Sequence, residues 1–351
     1  MTGMRATFAI IVPKVSHGVA LLHIDQALFE RPFAIRGEQD FNALALDLFR
    51  LHAERNPVYR GFLRALGRDP AQVRLVEDIP FLPIGAFRNQ RVLLDGVEPT
   101  LTFSSSGTTT AVTSSHHLPW PRLYERSFLA SFSAEYGPPD KWRILALLPA
   151  YLERPGSSLV YMAEKLISAS GDPLSGTYLY DHDRLAEVLV RSEAEGRPTL
   201  LLGVTFALLD LAEKHPMPLK HTVVMETGGM KGRRPEIVRE ELHTILKTAF
   251  SLDAIHSEYG MTELLSQAWS KGDGLYRCPP WMRISLRDVN DPLSRVEPGR
   301  TGGIDVVDLC NIASCPFIST QDLGRLQADG SFEVLGRFDN SDVRGCNLMV
   351  E

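Results

Sequence analysis

Two short segments, far apart in this chain, carry the residues best suited to gripping a nucleotide. The first is Ser104-Ser105-Ser106-Gly107-Thr108-Thr109, the second Ser257-Glu258-Tyr259-Gly260-Met261-Thr262-Glu263. Small hydroxyl residues around a glycine can wrap phosphate oxygens with backbone N–H and side-chain O–H donors. The Tyr-Gly-x-Thr-Glu run adds a flat aromatic face, a further hydroxyl and a hard oxygen ligand suited to Mg2+. Each segment by itself is equally well explained as a polar turn, the second as a turn into a helix capped by Thr262 and Glu263. Together, in this order, they read as a nucleotide site at which a carboxylate attacks ATP. The first segment lacks the Gly-Lys-Ser/Thr ending of a Walker loop, which argues against a P-loop NTPase.

A third segment, Thr227-Gly228-Gly229-Met230-Lys231-Gly232-Arg233-Arg234, follows an apolar run and precedes a helical pattern. Cations oppose the dipole at a helix N-terminus, so this basic cluster favours an anionic ligand there. Four cysteines, Cys278, Cys310, Cys315 and Cys346, lack the Cys-x-x-Cys spacing of zinc or redox sites. His116, His117 and His256 are read as structural. Leu148–Tyr151 and Leu200–Leu211 are candidate walls for an acyl pocket, most of their positions reading equally as ordinary core, with Gly203, Thr205 and Phe206 at the end of a strand placed to face a ligand.

The elements that must position these residues follow from periodicity. Phe41, Leu44, Leu48 and Leu51 predict a helix near the N-terminus, and Leu118–Tyr136 reads as a loop entering another. Arg143–Leu148, Thr199–Val204 and Thr222–Met225 read as buried strands. They alternate with helices at Leu159–Ser168, Leu185–Glu195 and Glu236–Phe250, the last with Val238, Leu242, Ile245 and Ala249 on one face. Such alternation predicts a parallel α/β sheet with ligands at the carboxyl ends of its strands. Short strands at Gly302–Leu309, Phe317–Thr320 and Phe332–Gly336 make the last part β-rich. The expected organisation is a weakly patterned extension over 1–27 and a core over 28–351, α/β through 276 and β-rich over 277–351.

Composition sets the outer bounds. The chain has 351 residues, is 44% apolar and 23% charged, and has a net charge of −6. An acidic balance without a basic tail gives no reason to expect a nucleic-acid partner. No signal peptide or integral membrane segment is read, and sparse cysteine suits a reducing, cytoplasmic setting.

The ordered set of motifs carries a family resemblance. The Ser/Gly/Thr loop, Gly228-Gly229, Tyr-Gly-x-Thr-Glu, Thr320-Gln321-Asp322 and Gly336-Arg337-Phe338-Asp339 occur in the order of the adenylate-forming superfamily. That superfamily comprises acyl-CoA synthetases, peptide-synthetase adenylation domains and luciferases. More closely, the chain resembles LuxE-type acyl-protein synthetases, through Gly228-Gly229-Met230-Lys231, Cys278-Pro279-Pro280-Trp281, Ser319–Gly324 and Arg344-Gly345-Cys346. The resemblance implies the α/β large-domain fold without the C-terminal lid, since the chain ends soon after Asp339. It departs from the superfamily pattern at Thr110, where a second glycine is usual, and in having no loop lysine.

The resemblance also implies roles. Ser105, Ser106, Gly107, Thr108 and Thr109 would contact the triphosphate of ATP. Gly228 and Gly229 would line the adenine, with Tyr259 stacked on it. Thr262 would hold the α-phosphate, Glu263 the Mg2+, Asp322 the ribose hydroxyls, and Arg337 the ribose or phosphate. Lys231 would stabilise developing charge, and Cys346 would accept the acyl group as a thioester. The implied partners are a fatty or related carboxylic acid and an acyl-accepting reductase or carrier protein. Two other readings stand beside this one: a ligase using coenzyme A as acceptor, and a non-catalytic acyl- or nucleotide-binding subunit.

Overall fold

The structure, a computed structural model, describes residues 26–105, 113–149, 156–228 and 237–337. Two sheets and one hairpin organise them. The first sheet has strand order β5-β4-β6-β7-β8-β9, formed by β4 (Arg143–Leu147), β5 (Gly176–Thr177), β6 (Thr199–Val204), β7 (Thr222–Thr227), β8 (His256–Tyr259) and β9 (Ala268–Ser270). All neighbours in it are parallel except β8 and β9. Every residue of β4 and β6 is buried. That is what a parallel strand covered on both faces requires, and why these two read as unbroken apolar runs.

Helices cross over between these strands, two of them with local start and stop signals. Ser157 Oγ accepts from Val160 N at the start of the helix Ser158–Ser170, and Asp181 accepts from Arg184 N at the start of His182–Glu195. Both helices end on a glycine in the left-handed region, Gly171 (φ 61°) and Gly196 (φ 62°). The helix Arg239–Phe250 corrects the sequence reading. Its buried side is Leu242, His243, Leu246 and Phe250, while Val238 and Ile245 are 65% and 37% exposed. Val238 has extended backbone (ψ 153°) and precedes the helix, so the packing ridge is the i, i+4 row from Leu242.

The second sheet runs β10-β14-β13-β12-β11, with β10 (Leu275–Tyr276), β11 (Met282–Arg287), β12 (Thr301–Asp308), β13 (Phe317–Leu326) and β14 (Phe332–Arg337) antiparallel. β1 (Leu82–Pro83) joins it parallel to β13, so the N-terminal part reaches into the C-terminal sheet. One apolar core spans both parts, from Phe41 and Phe49 through Phe128 and Leu201 to Phe317 and Phe332. The hairpin of β2 (Leu101–Ser104) and β3 (Ser115–Leu118) carries the Ser/Gly/Thr segment.

Candidate nucleotide site

β2 and β3 pair with Leu101 opposite Leu118 and Ser104 opposite Ser115, so the hydroxyl-rich segment is a hairpin connection. Its base is closed by Ser105 N donating to Ser114 O (3.0 Å) and Ser114 N donating to Ser105 Oγ (2.9 Å). Ser106, Gly107, Thr108 and Thr109 lie outside the described residues. His116, on β3, is 1% exposed and links this hairpin to the second motif. Its Nδ1 lies 2.8 Å from Thr262 O and its Nε2 3.1 Å from Asn311 Oδ1. Burial pushes the imidazole down to about 4, so near pH 7 it is neutral with a single N–H. Thr262 O and Asn311 Oδ1 can both only accept, so the neutral ring's single N–H serves one of them and the other contact is not a hydrogen bond. Asn311 Nδ2 in turn donates to Glu263 O at 2.8 Å, and the Ser114 hydroxyl bonds the Glu263 side chain. Two segments nearly 150 residues apart are therefore pinned together through main-chain carbonyls. No helix follows Thr262 and Glu263; a turn leads to β9 instead, so neither residue caps a helix.

Tyr259 ends β8 and is 7% exposed. Its hydroxyl donates to Asp322 Oδ2 at 2.9 Å, and Arg337 Nε donates to Asp322 Oδ1 at 3.1 Å. Asp322 and Arg337 are cross-strand partners on β13 and β14. The Tyr259 ring meets Tyr276 and Phe332 edge-on, with centroids 5.9 and 5.5 Å away. Behind Asp322, its own N–H donates to Thr320 Oγ1 at 3.1 Å, and that hydroxyl donates to Ile304 O at 2.8 Å. Arg287, 5% exposed, donates to Thr320 O, Ile304 O and Asp305 Oδ1, while Arg295 donates to Asp305 Oδ2. A buried guanidinium thus sets the backbone from which Asp322 projects.

Gly228 follows β7 with φ 69°, a conformation that favours glycine, and Thr205 Oγ1 donates to its carbonyl at 2.5 Å. Thr205 and Phe206 are buried, and a Cβ at Gly203 would meet Leu208 at 2.7 Å. Gly203 therefore packs against its own following helix, beside buried Thr205 and Phe206. Gly229, Lys231 and Cys346 lie outside the described residues. Burial pushes the thiols of Cys278, Cys310 and Cys315 upward, Cys315 to about 12, which disfavours the nucleophilic thiolate.

Glu263 is 4% exposed and its carboxyl is raised by burial, with no arginine or lysine at ion-pair distance among the described residues. No cluster of three or more His, Cys, Asp or Glu side chains suited to a metal occurs among them either. This donor set fits Mg2+ held by one carboxylate, with a phosphate ligand and water completing the coordination. It does not fit a metal caged by protein alone.

Glu258, to which the sequence motifs assign no role, precedes Tyr259 on β8 and pairs in register with Thr227, the residue before Gly228. Thr227 Oγ1 donates to its Oε2 at 2.6 Å. Burial pushes its carboxyl from 4.5 up to about 7, and neighbouring Glu226 adds to the rise. A folded pKa above the unfolded one means stability is fully present below about 4.5 and declines as pH rises to about 7. Glu258→Gln removes that decline. Its thermal midpoint relative to the parent is expected to climb between pH 5 and pH 8, by an amount equivalent to on the order of 2 kcal/mol. A difference that stays flat with pH would contradict this environment for Glu258.

No family model matches the chain, and no curated protein matches it by sequence. Solved structures do match in fold. The 2-hydroxyisobutyryl-CoA ligase in complex with 2-HIB-AMP and CoA aligns with a TM-score of 0.64 at 16% identity, covering 90% of this chain and 70% of that one. ATP-bound MatB from Rhodopseudomonas palustris aligns with a TM-score of 0.52 at 19% identity, covering 67% of this chain and 47% of that one. The ATP-bound RpMatB-BxBclM chimera B3 gives a TM-score of 0.53 at 18% identity, again over 67% and 47%. The chain thus spans about half the length of the MatB structures it matches. The chain shares the α/β fold of these structures, the fold that the resemblance implies.

Proposed function

We propose that this chain activates a carboxylic acid with ATP. An acid carboxylate oxygen attacks the α-phosphorus, the bond to the bridging oxygen of the β-phosphate breaks, and pyrophosphate leaves acyl-AMP behind. The observation that carries the reading is the pinning of the Ser105–Ser114 hairpin base to Thr262 and Glu263, beside the Tyr259–Asp322–Arg337 cluster. It supports reading Ser105 and Thr262 as phosphate donors, Glu263 as an oxygen ligand for Mg2+ and Asp322 as a carboxylate suited to ribose hydroxyls. Mg2+ bound there would neutralise phosphate charge. The chain's own residues orient the reactants: Thr262 and Ser105 toward phosphate oxygens, Asp322 toward the ribose, Gly228 against the base. Lys231 is assigned to the charge that develops at the phosphorus.

The acid is a fatty or related one, and the acyl group passes to a cysteine. The Cys346 sulfur, as thiolate beside Arg344, attacks the acyl carbon; the acyl–phosphate C–O bond breaks and AMP leaves. The thioester then passes to a partner protein. The HCL complex contains CoA, which favours coenzyme A as the competing acceptor. Intact-mass measurement after single turnover with ATP and acid separates the two. The parent chain is expected to gain one acyl group and release AMP, and Cys346→Ala to gain none and leave the acid as acyl-AMP. A Cys346→Ala chain that still forms acyl-CoA at the parent rate would assign the acceptor role to coenzyme A.

A further inference from the structure

Glu258 and Gln267 crowd the same glycine. A Cβ at Gly260 would sit 2.3 Å from Glu258 Oε1 and 3.3 Å from Gln267 Cγ, so the glycine is what lets both side chains in. Glu258 Oε2 is occupied by the Thr227 hydroxyl, and Oε1 has no hydrogen-bond donor among the described residues. Gln267 is 3% exposed, and its Oε1 is buried without a hydrogen-bond partner. Its side chain also interacts with the hydroxyl of Tyr124, which itself donates to Ser158 O at 3.1 Å. The same Tyr124 hydroxyl feels the charge of Glu258. Three polar side chains therefore converge beside the carboxyl end of β8, and two of them present acceptor oxygens without donors. Buried acceptors are almost always satisfied, so Gln267 Oε1 calls for something that brings N–H or O–H groups, with the less enclosed Glu258 Oε1 a second acceptor beside it.

We propose that the acid activated at this site carries a hydroxyl or amino group, and that Glu258 Oε1 and Gln267 Oε1 accept its hydrogen bonds. The proposal rests on the acid-activation reading and narrows it from a plain alkyl chain to a donor-bearing one. A plain alkyl chain would leave Gln267 Oε1 unpaired and would bury apolar surface against a carboxylate. A site built to bond a substrate hydroxyl or amine discriminates sharply against the analogue without it, because its own polar groups are then stranded. Burial has already moved the Glu258 carboxyl up to about 7, so near neutral pH it is poised to take up a donor or to share a proton with one.

The test measures carboxylate-dependent exchange of labelled pyrophosphate into ATP over acids matched in chain length. One set is unsubstituted, one carries a hydroxyl and one an amine at graded positions. The parent is expected to prefer a donor-bearing acid by about 100-fold or more in kcat/KM. Gln267→Leu and Glu258→Leu are each expected to erode that preference at least about tenfold. Glu258→Gln, which keeps the shape, separates loss of the acceptor charge from loss of folding. Equal or better use of unsubstituted acids by the parent overturns the proposal. So does an unchanged preference in both leucine variants. If the parent exchanges with no acid at all, the activation reading fails. Calorimetric titration of the same acids then decides for the pocket: tighter binding of donor-bearing acids supports it, and equal or no binding overturns it.

Discussion

Asp322→Ala is expected to lower carboxylate-dependent pyrophosphate exchange by about 100-fold to 10,000-fold. A carboxylate has four lone-pair positions, and Tyr259 and Arg337 occupy one on each oxygen. Two remain for ribose hydroxyls, so the cluster seen here and the bound nucleotide do not compete. Hydrogen bonds to a charged group contribute about 1.5–3 kcal/mol each, and each 1.36 kcal/mol is tenfold in rate. Alanine also strands the buried Tyr259 hydroxyl, at a cost of about 1–3 kcal/mol in stability. Asp322→Asn keeps the shape and half the acceptors, and is expected to fall between alanine and parent. Steady-state exchange with saturating acid, at a temperature where each variant is folded, reads the difference. Full exchange by Asp322→Ala would remove the ribose role.

Arg287→Ala is expected to cost about 3–5 kcal/mol, the usual penalty for breaking a buried ion pair from one side. Arg287 and Asp305 are 6% and 2% exposed at the side chain and lie 2.8 Å apart. The guanidinium also satisfies the carbonyls of Ile304 and Thr320. Gly303 leaves room for it, since a Cβ there would meet Arg287 Cζ at 2.7 Å. A fall in Tm on the order of 10 °C is the expected readout. Removing both charges, in Arg287→Met with Asp305→Leu, is expected to recover part of the loss, because no half-paired carboxylate remains buried and Arg295, 33% exposed at the side chain, can turn to water. If Arg287→Ala melts with the parent, the network does not hold the Thr320–Asp322 segment.

The sequence and the structure agree where a residue's own chemistry fixes its place. β4 and β6 are buried on both faces and therefore appear as unbroken apolar runs. Tyr259, Asp322 and Arg337, which the resemblance singles out in three separate motifs, come together in one hydrogen-bonded cluster. What escaped depends on contacts across long separations. His116 meets Thr262 over 146 residues and Asn311 over 195, and nothing local to Ser115–Leu118 distinguishes it from an ordinary core histidine. Glu258 and Gln267 were equally silent, since a carboxylate before Tyr-Gly looks like any polar residue at a strand end. The Arg239–Phe250 face was misjudged because the helix starts after Val238, which moved the packing ridge.

Pyrophosphate exchange into ATP, dependent on added carboxylic acid, tests the central claim most directly, because it reports acyl-AMP formation whatever the acceptor. The full chain with Mg2+ and labelled pyrophosphate is expected to exchange with at least one acid of a panel graded in length and in hydroxyl and amino substitution. That exchange should survive Cys346→Ala and fall with Asp322→Ala. Absence of exchange with every acid, in a chain that is folded and binds ATP, would contradict activation and leave a nucleotide-binding protein in its place.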